Sequence, residues 1–169
     1  MDRFLEEAKS TPYYALFHLN LFSGLRRSAI LGLKWADMDF RVGQLSVNRT
    51  LHQLKNGRYI FRSPKTAKSR RRVSLTPLSL EVMRQYYENQ KQLCDSFGIP
   101  FSDESLVFCH IEDGRPLRPN TVTRAWTCIW QQARLRHIRL HDCRHSHASL
   151  LLKQGVHPKI VSERLGHSG

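Results

Sequence analysis

The chain has 169 residues, 40% of them hydrophobic and 24% charged, which suits one domain with a real core and excludes a disordered tail. No apolar run approaches membrane-spanning length and Met1-Asp2-Arg3 opens no secretory signal, so a cytoplasmic protein without a membrane partner is expected. Lys and Arg total 27 against 14 Asp and Glu, and a net charge of +13 on a compact domain points to a polyanionic partner, most commonly nucleic acid.

Residues 12–22 carry Tyr13, Leu16, Phe17 and Leu21 at helical spacing, and Gly24 ends that run. A short helix over residues 27–33 should follow, then Trp35 and an acidic turn, Asp37-Met38-Asp39. Residues 44–48, 58–62 and 71–75 read as strands, predicting one three-stranded antiparallel sheet with a basic loop, 63–70, before the last strand. Thr76-Pro77 supplies a capping hydroxyl and a first-turn proline for a helix reaching about Leu93, with a break at Ile99-Pro100. Residues 106–108 form a short buried segment and 112–115 a turn.

A helix over residues 120–134 gathers Val122, Trp126, Ile129 and Trp130 near one face. Its aromatics are read as core and not as a base-stacking platform. Two last helices cover residues 144–153, closed by Gly155, and 158–165, which opens on Pro158 and ends at Gly166. The expected fold class is α+β: a mostly helical single domain over residues 1–169 with a small three-stranded antiparallel sheet. Cys94, Cys109, Cys128 and Cys143 form no CxxC pair, which favours reduced thiols over a zinc ribbon, and Cys128 and Cys143 are read as small core residues.

The side chains that carry chemistry are arginines and histidines. Arg26 follows Gly24 at the start of an otherwise apolar helix, a placement from which a planar guanidinium can address a phosphate. Taken alone it reads better as a surface arginine. His141 and Arg144 are three apart and share a face, a pairing suited to holding phosphate charge and moving a proton. The structural alternative makes His141 a helix cap and pairs Arg144 with Asp142. His137, His141, His145 and His147 with Cys143 invite a metal reading. It is set aside, because Arg144 would repel a cation and spacing places no third ligand. Arg62, Lys65, Lys68, Arg70, Arg71 and Arg72 crowd one segment, which suits tracking a phosphate backbone. A solvated hairpin tip remains an equal reading for Arg70 to Arg72 individually. Lys65, after Pro64, is placed to protonate a leaving alkoxide.

In order along the chain these segments resemble the tyrosine recombinase, or phage integrase, family. The resemblance rests on Gly24-Leu25-Arg26-Arg27-Ser28, on Leu33-Lys34-Trp35-Ala36-Asp37-Met38-Asp39, and on Pro64-Lys65-Thr66-Ala67-Lys68-Ser69-Arg70-Arg71. The later pair is His141-Asp142-Cys143-Arg144-His145-Ser146-His147-Ala148 and Leu165-Gly166-His167-Ser168. It covers nearly the whole chain. It implies the family's catalytic-domain fold, with Arg26 and Arg144 clamping the scissile phosphate, His141 handling a proton and His167 donating to the same phosphate. Lys65 would be the general acid for the departing 5′ oxygen, with Lys68 as the alternative, and Arg62, Lys68, Arg70, Arg71 and Arg72 would contact the DNA backbone. Strand exchange through a 3′-phosphotyrosine needs neither metal nor nucleotide cofactor.

Ala29 stands where many members carry glutamate. The family's nucleophilic tyrosine follows the Gly-His-Ser segment, and none follows it here, so no nucleophile is assigned among Tyr13, Tyr14, Tyr59, Tyr86 and Tyr87. The expectation is a catalytic domain lacking an N-terminal DNA-binding domain and the C-terminal tyrosine segment. Its partner is duplex DNA, its full-length form a tetramer on DNA, and the 169-residue chain alone an inactive monomer. The rival is a non-catalytic DNA-binding regulator that retains the fold. A basic RNA-binding domain ranks below both, because no exposed aromatic motif of the single-strand RNA modules is present.

Overall fold

Helix α1 spans Asp2–Ala8 and α2 spans Tyr14–Ser23, and together they begin the core. The structure, a computed structural model, describes residues 2–66, 70–143, 147–149, 152 and 155–165. Leu16, Phe17 and Leu19 of α2 are fully buried, and the helix ends where Gly24 turns left-handed at φ 69° and donates to Asn20 O. Helix α1 has no counterpart among the sequence expectations. It earns its place through Phe4, whose ring lies 4.5 Å from Trp126, 4.7 Å from Trp130 and 5.9 Å from Phe17.

Helix α3 is short, Arg27–Leu31, and Gly32 follows it. A 3₁₀ turn, Trp35–Asp37, leads directly into strand β1, Met38–Asp39, so the expected acidic turn is instead a buried carboxylate followed by a strand. Strand β2 is Gln44–Val47, β3 is Thr50–Gln53, β4 is Tyr59–Arg62 and β5 is Arg71–Ser74. A three-stranded antiparallel sheet is present, ordered β1-β2-β5, but its membership differs from expectation. The segment 59–62 leaves that sheet and pairs with β3 as a separate hairpin, while β1 takes the vacated place. The cause is local. Asn48 and Arg49 turn aside to reach Asp37, which breaks the extended run between β2 and β3 and redirects β3 to its sequence neighbour.

Asp37 is the hub of this corner. Its carboxylate, 6% exposed, accepts from the Lys34 backbone N–H at 2.8 Å, from Asn48 Nδ2 at 2.7 Å and from Arg49 Nη1 at 2.5 Å. Arg49 Nη1 also donates to Gly32 O at 3.0 Å, which ties the end of α3 to the β2–β3 corner. Gly32 fits because backbone passes close by: a Cβ there would meet Arg49 O at 2.8 Å.

Helix α4 spans Pro77–Phe97 and α5 spans Pro119–Gln132. The Thr76 hydroxyl caps α4 by accepting from Ser79 N at 3.1 Å, as Thr76-Pro77 implies. The helix runs one turn past Leu93 and stops at Gly98 (φ 66°), ahead of the Ile99-Pro100 break. Ser79 Oγ also bonds Nε2 of the buried His18 at 3.0 Å, stitching α4 to α2. Trp35 Nε1 donates to Gln90 Oε1, and Gln90 Nε2 donates to Val107 O at 3.1 Å, which seats the buried 106–108 segment.

Helix α5 buries Val122, Trp126, Ile129 and Trp130 as core, as their spacing predicts. Cys128 on the same helix is exposed, contrary to the core assignment, because its position turns away from that face, while Cys143 is buried. The expected helix over residues 144–153 falls mostly outside the described residues, though His147, Ala148, Ser149 and Leu152 are helical. The final helix, Pro158–Leu165, matches expectation, and its Val161 packs against Ala148 and Val156.

Two outcomes follow. Asp37→Ala leaves Arg49 largely buried without its carboxylate and should lower the unfolding free energy by about 3–5 kcal/mol at unchanged denaturant m-value. Burial holds the His18 imidazole below its ordinary value, so folding favours the neutral ring. The stability this provides is complete above about pH 6.5 and declines as pH falls from there toward the folded value. Urea titrations of wild type and His18→Gln between about pH 7.5 and 5 should show a shallower acid decline in the variant.

Candidate functional site

The turn between α2 and α3 is held from three directions. Asn20 Nδ2 donates to Leu25 O at 3.0 Å, Ser23 Oγ donates to Leu19 O, and Ser23 Oγ accepts from Leu25 N at 3.3 Å. This clamp delivers Arg26 at the N-cap of α3 with extended backbone, φ −67° and ψ 150°. Its neighbour has a different fate. Arg27 Nη1 donates to Thr123 Oγ1 at 2.6 Å and to Pro119 O at 3.2 Å, tying α3 to the start of α5. Burial lowers the Arg27 pKa from its ordinary value, which fits a structural strut. Arg26 is exposed and makes no side-chain hydrogen bond or ion pair with the described residues. The resemblance to the family singles out Arg26 of this doublet, and the structure gives Arg27 its separate role.

On the other side, Trp126 Nε1 donates to Ile138 O at 2.6 Å and fixes the strand of chain that leads to His141. His141 lies in a 3₁₀ turn, Leu140–Asp142, anchored by the buried Leu140. Asp142 pairs with Arg139 at 3.0 Å, and the alternative pairing with Arg144 lies outside the described residues. Between these walls lies a cleft of about 410 Å³. Leu25, Trp126 and Leu140 form its apolar floor, and Arg26, His137, Arg139 and His141 supply its basic rim. Arg26 and His141, 115 positions apart in the sequence, therefore share one basic concavity, which suits an anion.

The remaining expected residues divide. Lys65, Arg62, Arg70 and Arg72 are exposed on and around the loop between β4 and β5, and none of them lines the cleft. Arg71 is partly buried, and burial, then the charge of Arg26, lowers its pKa from the ordinary value. Lys68, Arg144 and His167 lie outside the described residues. Among the described residues no three His, Cys, Asp or Glu side chains gather as a metal site.

The described nucleophile candidates do not serve the cleft. Burial, then Asp142, pushes the Cys143 thiol up to about 12, so it stays protonated at neutral pH. Tyr86 lines a separate groove of about 800 Å³ along α4, where burial raises its hydroxyl well above the phenol range. No tyrosine lines the cleft itself.

The whole chain, residues 1–169, matches the model of the phage integrase family. It is 32% identical to the ICEBs1 integrase of Bacillus subtilis (strain 168) over 155 residues, covering 92% of this chain and 41% of that protein. It is 30% identical to a tyrosine recombinase XerC-like protein of Caldanaerobacter subterraneus subsp. tengcongensis, covering 96% of this chain and 44% of that protein. The chain thus spans about two fifths of the length of these relatives. Its fold matches the Tn1549 transposon integrase in complex with circular intermediate DNA at TM-score 0.84, with 22% identity over 99% of this chain and 57% of that one. It also matches XerH site-specific recombinase bound to difH substrate at TM-score 0.70, with 23% identity over 99% of this chain and 45% of that one. On this evidence the chain belongs to the phage integrase family of tyrosine recombinases.

Proposed function

We propose that this chain is the catalytic domain of a site-specific DNA recombinase or integrase, holding a phosphodiester of duplex DNA against the cleft between α3 and the His141 turn. The observation that carries the reading is Arg26. It is an exposed guanidinium without a described partner, pointed by a rigid turn into a basic concavity shared with His141. A cation kept unpaired in a folded protein is suited to an incoming anion, and a planar guanidinium takes two phosphate oxygens at once.

In this scheme Arg26 and Arg144 hold the non-bridging oxygens, where charge grows in the transition state. His141 handles a proton and His167 donates to the same phosphate. In the full-length protein a tyrosine oxygen attacks phosphorus, the P–O5′ bond breaks, and Lys65, or Lys68, supplies the proton to the departing 5′ oxygen. The resulting 3′-phosphotyrosine retains the energy of the bond. Attack by another 5′ hydroxyl therefore rejoins a strand and releases the tyrosine, without metal or nucleotide. Arg62, Lys68, Arg70 and Arg72 steady the DNA through its backbone. The full-length protein acts as a tetramer on DNA, and the 169-residue chain alone is a monomer. The structures of similar fold in complex with circular intermediate DNA and bound to difH substrate support the reading.

Fluorescence titration of a labelled duplex should give affinity that falls linearly with log salt, at a slope of about −0.9 per phosphate contacted. Affinity indifferent to salt would refute backbone binding. Arg26→Ala should weaken duplex binding by about tenfold or more with unchanged melting temperature, whereas Arg27→Ala should lower stability by about 1–3 kcal/mol through the lost α3–α5 tie. With no tyrosine in the cleft, the 169-residue chain should form no covalent adduct on a nicked suicide duplex. An adduct that survives denaturing electrophoresis would overturn that assignment.

A further inference from the structure

Arg139 lies two positions before His141 and outside the motifs that carry the family resemblance, yet it stands in the cleft on the same terms as Arg26. Each arginine directly precedes a helical turn and has extended backbone. Arg26 stands before α3 at φ −67° and ψ 150°, and Arg139 before the 3₁₀ turn Leu140–Asp142 at φ −67° and ψ 145°. In each case a buried side chain holds the carbonyl of the residue just before the arginine. Asn20 Nδ2 donates to Leu25 O at 3.0 Å, and Trp126 Nε1 donates to Ile138 O at 2.6 Å. Two guanidiniums are thus carried on pinned backbone at two walls of one cleft, over the apolar floor of Leu25, Trp126 and Leu140.

The side chain of Arg139 is also oriented. Its Nε donates to Asp142 Oδ2 at 3.0 Å. The arginine side chain is 79% exposed, so this pair adds little stability. Its effect is geometric: Asp142 takes the Nε edge of the planar fork, and no described residue bonds Nη1 or Nη2. The third arginine of the cleft, Arg27, is by contrast occupied by Thr123 and Pro119. At about 410 Å³ the cleft holds on the order of ten water volumes of about 30 Å³ each, more than one phosphate group fills.

We propose that Arg139 is a second phosphate-contacting residue of the cleft, taking through its Nη edge the DNA phosphate next to the one held by Arg26 on the same strand. This rests on the recombinase reading above and deepens it. A single gripped phosphate leaves the strand free to pivot. Two successive ones fix its direction across α3 and the His141 turn, which is how backbone contacts set register.

The test uses thymidine monophosphate, the 5′-phosphorylated thymidine dinucleotide, which carries two phosphates at the spacing of a DNA strand, and a labelled duplex. In thermal unfolding at matched ionic strength, the dinucleotide should stabilise wild type at a concentration about tenfold below that needed for the monophosphate. Arg139→Met should keep the wild-type melting temperature without ligand and lose that advantage. Its salt slope on the duplex should shrink by about 0.9, the value of one phosphate contact. Arg41→Met, exposed in the β1–β2 turn, should keep both the advantage and the wild-type slope. An unchanged dinucleotide advantage or an unchanged salt slope in Arg139→Met overturns the proposal. So does a lower melting temperature of that variant without ligand, which would make the side chain a structural tie. Duplex binding by wild type is read separately. Its absence refutes the recombinase reading, and its presence without any preference for the dinucleotide refutes only the two-phosphate cleft.

Discussion

The corner around Asp37 sets the geometry of everything that follows. One buried carboxylate receives a backbone N–H, an amide and a guanidinium, and through Arg49 it reaches the carbonyl of Gly32 at the end of α3. Helix α3 carries Arg26 at its start, and the sheet that the chain leaves at Asn48 and Arg49 carries Arg71. A short helix of five residues has little stability of its own, so its orientation is borrowed from this ion pair on one end and from the Asn20–Leu25 clamp on the other. Gly32 belongs to the same constraint, because the two backbones meet too closely for a side chain.

Around that frame, the chain sorts identical side chains into different roles by burial. Arg26 and Arg27 are adjacent and both line the cleft, yet Arg26 stays exposed without a described hydrogen bond while Arg27 reaches α5, where two oxygens satisfy it. Arg71 and Arg72 are adjacent, yet the pleat sends one toward the core row and the other to solvent. A net charge of +13 is therefore not spread evenly. Part of it is held in struts such as Arg27 and Arg49, part is exposed along the β4–β5 loop, and part rims the cleft.

The helices were legible where local rules decide. Thr76-Pro77 announced α4, the spacing of Val122, Trp126, Ile129 and Trp130 announced α5, and Gly24 announced the end of α2. The sheet was legible only in number. Its membership depends on Asn48 and Arg49 leaving the strand for a carboxylate eleven and twelve positions earlier, which no local pattern reports. Strand β1 has two residues, too few for alternation to show, and β3 buries only Leu51. Helix α1 has seven residues, and its value lies in one ring, Phe4, whose partners come from α2 and α5. Cys128 shows the converse error, an apolar neighbourhood in sequence that the helical turn converts to an exposed position.

By itself the sequence determined the basic character of the chain, the order of the motifs and the family they resemble. Composition and motif spacing are properties of the chain that survive any folding. It also singled out Arg26 and His141. Only the tertiary structure decided that these two share a cleft, that Arg27 in the same cleft is tied to α5 by hydrogen bonds, and that Arg71 has its Nε buried. Those distinctions arise from desolvation and from hydrogen bonds between segments nearly a hundred positions apart. A guanidinium costs little in water and much in a core, so the same residue becomes a strut, a surface charge or an anion ligand according to what the fold places around it.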